Sequence, residues 1–120
     1  MTLTELRALC LAKPGAYKDF PFGPDTRVFK VAGKMFALCP VEGGADHNPS
    51  SVNLKCEPEL AELLRQKYDA ITSGYHMNKR HWNTVALDGS VPFGEVAALL
   101  DLSYTLVVKG LRASERAKLV

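Results

Sequence analysis

The nine residues from Gly74 to Trp82, GYHMNKRHW, hold the densest group of chemically able side chains in the chain. Histidine as a residue type titrates near neutrality, so His76 or His81 could act as a general base or a metal ligand. Lys79 and Arg80 carry positive charge suited to phosphate oxygens. Asn78 and the two histidines can donate hydrogen bonds to phosphates or base edges, and Tyr75 or Trp82 can stack on an exposed base.

These residue types fit the possible chemistries unequally. A metal site is disfavoured: His76 and His81 are five residues apart, no cysteine or acid lies close in sequence, His47 is remote, and Lys79-Arg80 would repel a cation. No metal or other cofactor is expected. Catalysis would need a nucleophile from elsewhere, such as Cys39, Cys56 or Ser73, and no GxSxG, P-loop, HExxH or GxGxxG motif is present. No catalytic residue is assigned, and a non-enzymatic protein is expected. A structural loop would explain Tyr75, Met77 and Trp82 as core anchors and Asn78 as a turn former. It does not require four donor-rich side chains in six residues. Phosphate contact by His76, Asn78, Lys79, Arg80 and His81 is therefore the leading reading. Arg27, Lys30 and Lys34 form a candidate second contact surface around the Ala32-Gly33 turn. The alternative is a pocket for a small anion or nucleotide, or a protein-interaction module, built from the same donors.

Composition sets the frame. The chain has 120 residues, 47% hydrophobic and 23% charged, which suits a single globular domain. No segment has the run of about 18 apolar residues needed to span a membrane, and no secretory signal is visible, so a cytoplasmic protein without membrane contact is expected. The three cysteines, Cys10, Cys39 and Cys56, are widely spaced among apolar neighbours and read as small buried hydrophobes. Net charge is only +2, which does not imply nucleic acid by itself. Positive charge gathers at the two ends: residues 109–120 hold four Lys/Arg against one acid, and the last residues, 113–120, read as a flexible basic tail.

The elements that must position these groups follow from pattern. Thr2 and Glu5 have capping-box spacing, Leu3, Leu6, Leu9 and Cys10 share a helical face, and Pro14-Gly15 ends that helix. Thr26–Val31 and Lys34–Val41 read as a hairpin about Ala32-Gly33. A two-residue turn pairs Val31 with Lys34, Phe29 with Phe36 and Arg27 with Leu38, putting Phe29, Val31, Phe36 and Leu38 on one core face. The stretch 42–51, EGGADHNPSS, is a polar loop, and 52–56 a strand. Pro58 opens a second helix with Leu60, Leu63, Leu64 and Tyr68 on one face. Residues 70–73 and 82–87 are extended, and a third helix begins at Pro92 with Val96, Leu99, Leu100, Ser103, Val107 and Leu111 as its stripe. The order is α, three or four strands, α, two strands, α. Short connections make the sheet antiparallel, and the class is an α+β two-layer sandwich in one domain spanning 1–120.

The runs PGAYKDFPFG, FKVAGKMFALC, VNLKCEPE, GYHMNKRHWNTVALDG and SYTLV occur here in the order and spacing of the MmcQ/YjbR-like family. The resemblance covers residues 6–111, and GYHMNKRHW is its most specific motif. The chain departs from the family pattern at Ser73, where proline is usual, and at Lys13, where leucine is usual. The resemblance implies a CyaY-like α+β fold, α-β-β-β-α-β-β-α. It also implies double-stranded DNA as partner, held by two hairpins acting as a pair of wings. A monomer is expected.

Overall fold

The computed structural model describes residues 1–41, 50–74 and 77–119. Helix α1 (Leu3–Leu11) is followed by strands β1 (Tyr17–Asp19), β2 (Thr26–Val31), β3 (Lys34–Pro40) and β4 (Ser51–Lys55). Helix α2 (Pro58–Lys67), strands β5 (Ile71–Ser73) and β6 (Trp82–Ala86), and helices α3 (Phe93–Lys109) and α4 (Ala113–Ala117) complete the chain. The strands form an antiparallel sheet in the order β1-β2-β3-β4-β6-β5. The α+β sandwich is as expected, with β1 as a fourth strand before α2. Part of the segment read as a tail, 113–120, forms α4.

Local chemistry explains the ends of the helices. The Thr2 hydroxyl accepts from the Glu5 N–H, and the Glu5 carboxylate accepts from the Thr2 N–H, so the capping box forms. Pro58 sits in the first turn of α2, where a missing N–H is harmless. Val96, Leu100, Ser103 and Val107, spaced four, three and four apart, are the buried stripe of α3. That stripe packs on β3 and β4, while α2 packs on β5 and β6 and α1 on α3. The helices thus cover one face of the sheet. Between them lies the main core, which includes Leu6, Phe29, Phe36, Val52, Ile71, Val85 and Leu100. Full burial of side chains of this size stabilises by about 1.5–3 kcal/mol each.

The opposite face carries a smaller apolar cluster of Val28, Leu38 and Trp82, with Met35 and Met77 packed against it. Here the expected hairpin register needs correction. Val31 pairs with Lys34 as anticipated, but Phe29 pairs with Ala37 and Arg27 with Cys39. The cause is a bulge. Lys30 pairs with Met35 and Phe29 with Ala37, so Phe36 is the extra residue. Phe36 and Ala37 both reach the main core, and Leu38 is turned to the opposite face beside Val28.

A bulge interrupts ladder bonding, and Ser103 repairs it. Its fully buried hydroxyl donates to the Phe36 carbonyl at 2.6 Å and accepts from the Lys55 N–H at 2.8 Å. With Ala37 opposite Leu54, these are the two backbone groups that the next ladder step would join. The serine of the α3 stripe therefore bridges β3 and β4 where they separate.

Candidate nucleic-acid interface

Sheet topology places two turns at the same end of the molecule. The β2–β3 turn lies at the end of the sheet where β4 finishes at Lys55. Lys55 pairs with Trp82, the first residue of β6, and Ser73, the last of β5, pairs with Asn83. The β5–β6 connection therefore emerges beside the β2–β3 turn. Three strand spacings separate the midlines of the two hairpins, about 14 Å.

The β5–β6 connection is closed by a glycine. The Gly74 N–H donates to the Trp82 carbonyl at 2.8 Å. A Cβ at position 74 would stand 2.8 Å from the Trp82 Cβ and 3.1 Å from its carbonyl oxygen, so no larger residue allows this approach. Beyond it, Asn78 builds the turn. Its backbone carbonyl accepts from the N–H groups of His81 and Trp82, and its side-chain oxygen accepts from the Arg80 N–H at 3.0 Å. This is an Asx turn, and it occupies the acceptor of Asn78 internally. The His81 carbonyl accepts from the Cys56 N–H at 2.7 Å, tying the turn to the end of β4.

Lys79 and Arg80 are exposed on this turn and form no ion pair among the described residues. His81 is half-buried. His76, Tyr75 and His47 lie outside the described residues. Two groups that the pattern did not single out hold the turn from beneath. Arg65 of α2 donates to the Asn83 side-chain oxygen at 2.8 Å and reaches the Lys79 carbonyl at 3.4 Å. Asn83, 3% exposed, passes the connection on by donating to the Ala61 carbonyl. The available signal was an asparagine at an inward position of a strand otherwise filled by Trp82, Thr84, Val85 and Ala86.

The three cations of the β2–β3 hairpin are not brought together. Lys34 stands at the turn and is exposed. Lys30 faces the side of the sheet opposite the helices and pairs with Asp19 at 2.8 Å. Their hydrogen bond holds the Asp19 carboxyl below its usual range and the Lys30 amine above its own. Arg27 faces the helix side beside Cys39, and its guanidinium lies 5.8 Å from the Phe20 ring centroid. It is five residues from the turn, about 16 Å along the strand.

The cysteines offer no reactive thiol. Burial pushes Cys10 up to about 12 and raises Cys39 and Cys56 as well, so all three stay protonated at neutral pH. Among the described residues no cluster of three His, Cys, Asp or Glu side chains is arranged for a metal, and no helix is long and apolar enough to cross a membrane.

The sheet face opposite the helices holds a cleft of about 590 Å³. Among the described residues its lining includes Phe22, Thr26, Leu38, Ser51, Asn53 and Met77. Sequence pattern did not reveal it, because its walls come from a loop, three strands and the β5–β6 connection. The one visible hint is Phe22, an aromatic between Pro21 and Gly23 in a turn, which is 62% exposed.

The fold recurs in known proteins. The model of the YjbR family matches residues 11–106. The chain is 41% identical over 121 residues to the uncharacterized protein YjbR of Escherichia coli K12, covering 100% of this chain and 98% of that protein. It is 35% identical over 112 residues to the uncharacterized protein YbdF of Escherichia coli O157:H7, covering 93% and 88%. Among solved structures, the Deinococcus radiodurans protein DR2400, of the DUF419 domain class, superposes with a TM-score of 0.88 at 42% identity, over 98% of this chain and 87% of that one. A Pseudomonas syringae protein, structural-genomics target PsR293, follows with a TM-score of 0.75 at 33% identity, over 88% and 98%. With the family model covering most of the chain, and relatives matching along nearly its whole length, the chain belongs to the YjbR family.

Proposed function

We propose that the protein binds nucleic acid, with double-stranded DNA as the favoured form, through phosphate contacts from one end of its sheet. The supporting observation is the placement of Lys79 and Arg80, exposed and without an ion pair among the described residues, on one turn beside a second turn carrying Lys34. A separation of about 14 Å compares with a major groove of about 12 Å, so the two turns can meet phosphates on either side of a groove. Lys55, at the end of β4 between the turns, adds charge to the same end. Arg65 and Asn83 fix the Lys79 backbone, which reduces the ordering needed on binding. Arg27 and Lys30 are left out of this surface, because each is engaged elsewhere.

Binding carried by phosphates must weaken steeply with salt, with a log–log slope of about −0.9 per phosphate neutralised. Fluorescence anisotropy of a labelled duplex across a salt series reads this slope. Replacing Lys79 and Arg80 together by alanine should make it shallower by about 1.8. A double variant that binds like the parent, or no measurable binding at low salt, would refute the reading.

A further inference from the structure

We propose that the cleft on the sheet face opposite the helices is a nucleobase pocket, taking one unstacked base of a nucleotide whose phosphate lies toward Lys55 and the Lys79–Arg80 turn. The inference rests on the nucleic-acid reading for its class of ligand. A volume of about 590 Å³ falls inside the span of small-ligand sites, about 300–1,000 Å³. Among the described residues the lining carries no charged side chain, which suits an uncharged part of a ligand. Phe22 supplies an exposed ring and Leu38 and Met77 supply apolar walls, which suit the faces of a flat heterocycle.

Thr26, Ser51 and Asn53 supply donors and acceptors at the edges. The Asn53 side-chain oxygen accepts from the Thr84 hydroxyl, and its amide N–H groups have no partner among the described residues. Cations then begin where the cleft stops. Lys55 is two residues beyond Asn53 on the same face of β4, about 6.6 Å along the strand. Met77 lines the cleft two residues before Lys79. An apolar hollow with hydrogen-bonding groups, uncharged among the described residues and bordered on one side by Lys55 and Lys79, matches a heterocyclic base joined to a phosphate. Nucleotides with unpaired bases are recognised by this combination of stacking and backbone charge.

The test compares a 12-nucleotide oligo-thymidylate with an abasic strand of the same length and charge, at one low salt concentration. Binding is read by Trp82 fluorescence and by the side-chain amide signals of Asn53. The base-bearing strand should bind at least ten-fold more tightly and shift the Asn53 signals. Phe22→Ala, on an exposed turn, should reduce that preference to less than three-fold while leaving duplex binding and its salt slope unchanged. Equal binding of the two strands, or a preference that survives Phe22→Ala, overturns the proposal. Thymidine 5′-monophosphate alone shifting Asn53 as fully as the strand supports the pocket and makes a free nucleotide its source of base. A base preference lost in Phe22→Ala, seen without any duplex binding, supports the pocket and refutes the duplex reading alone.

Discussion

At the scale of single residues, the informative groups are those that answer an unmet backbone bond. Ser103 is the clearest. It reads in the sequence as one position of an apolar helical stripe, and a serine there looks like a weak point. Its hydroxyl instead serves Phe36 and Lys55, the two backbone groups parted by the bulge. Ser103→Ala keeps the shape nearly unchanged but strands a buried carbonyl and a part-buried N–H. It should lower unfolding stability by about 1–3 kcal/mol in urea denaturation. A loss below 0.5 kcal/mol, to take a rough threshold, would mean that the ladder closes without the serine. Asn78 and Asn83 show the same logic. Asn78 reads as a polar group available to a ligand and Asn83 is not singled out by the pattern, yet both are occupied in holding the β5–β6 connection.

At the scale of elements, the β2–β3 hairpin shows how far turn chemistry carries. The Ala32-Gly33 pair correctly marks a two-residue turn, and Val31 faces Lys34 as it requires. Both central residues have positive φ, 49° at Ala32 and 81° at Gly33, which is the type I′ form that matches strand twist. Alanine is strained there, since the left-handed region costs an ordinary residue about 1–2 kcal/mol. Ala32→Asn should therefore raise stability by about 0.5–1 kcal/mol and raise the thermal midpoint by a few degrees in a calorimetric scan. No change would show that neighbouring packing already absorbs the strain. Two residues past the turn the pattern stops being sufficient. Both faces of β3 are apolar, so alternation offers no signal for the extra residue at Phe36.

At the scale of the whole molecule, the helices cover one face of the sheet and leave the other to a small cluster, a cleft and the basic end. The C-terminal segment takes part in this closure. Leu119 lies against Gly15, where an added Cβ would stand 2.4 Å from the leucine Cδ2, and it joins the main core. Removing residues 113–120 should destabilise the fold by about 1–2 kcal/mol through lost apolar burial. The segment carries Glu115, Arg116 and Lys118, and Lys34 of the β2–β3 turn is among the charges, after Arg112, that lower the Glu115 carboxyl, so a net loss of one positive charge near that turn should make the salt slope of duplex binding shallower by at most about 0.9. A large loss of binding with stability intact would transfer the phosphate contacts to the C-terminal segment.

The sequence by itself determined the helices α1 to α3, the antiparallel pairing and the α+β class, while α4 stood in a segment read as a tail. Those properties follow from capping groups, from apolar spacing of 3.6 or 2, and from short turns, all of which act between near neighbours. The basic turn of Lys79 and Arg80 was legible for the same reason, as a local run of unusual residues. Only the tertiary structure decided which cations act together. Arg27, Lys30 and Lys34 are close in sequence, yet strand alternation and extension send them to opposite faces and to different distances from the turn. The cleft was likewise hidden, since Phe22, Asn53 and Met77 meet only after strands distant in sequence lie side by side. Chain proximity fixes backbone habit, while the register of the assembled sheet fixes which side chains share a surface.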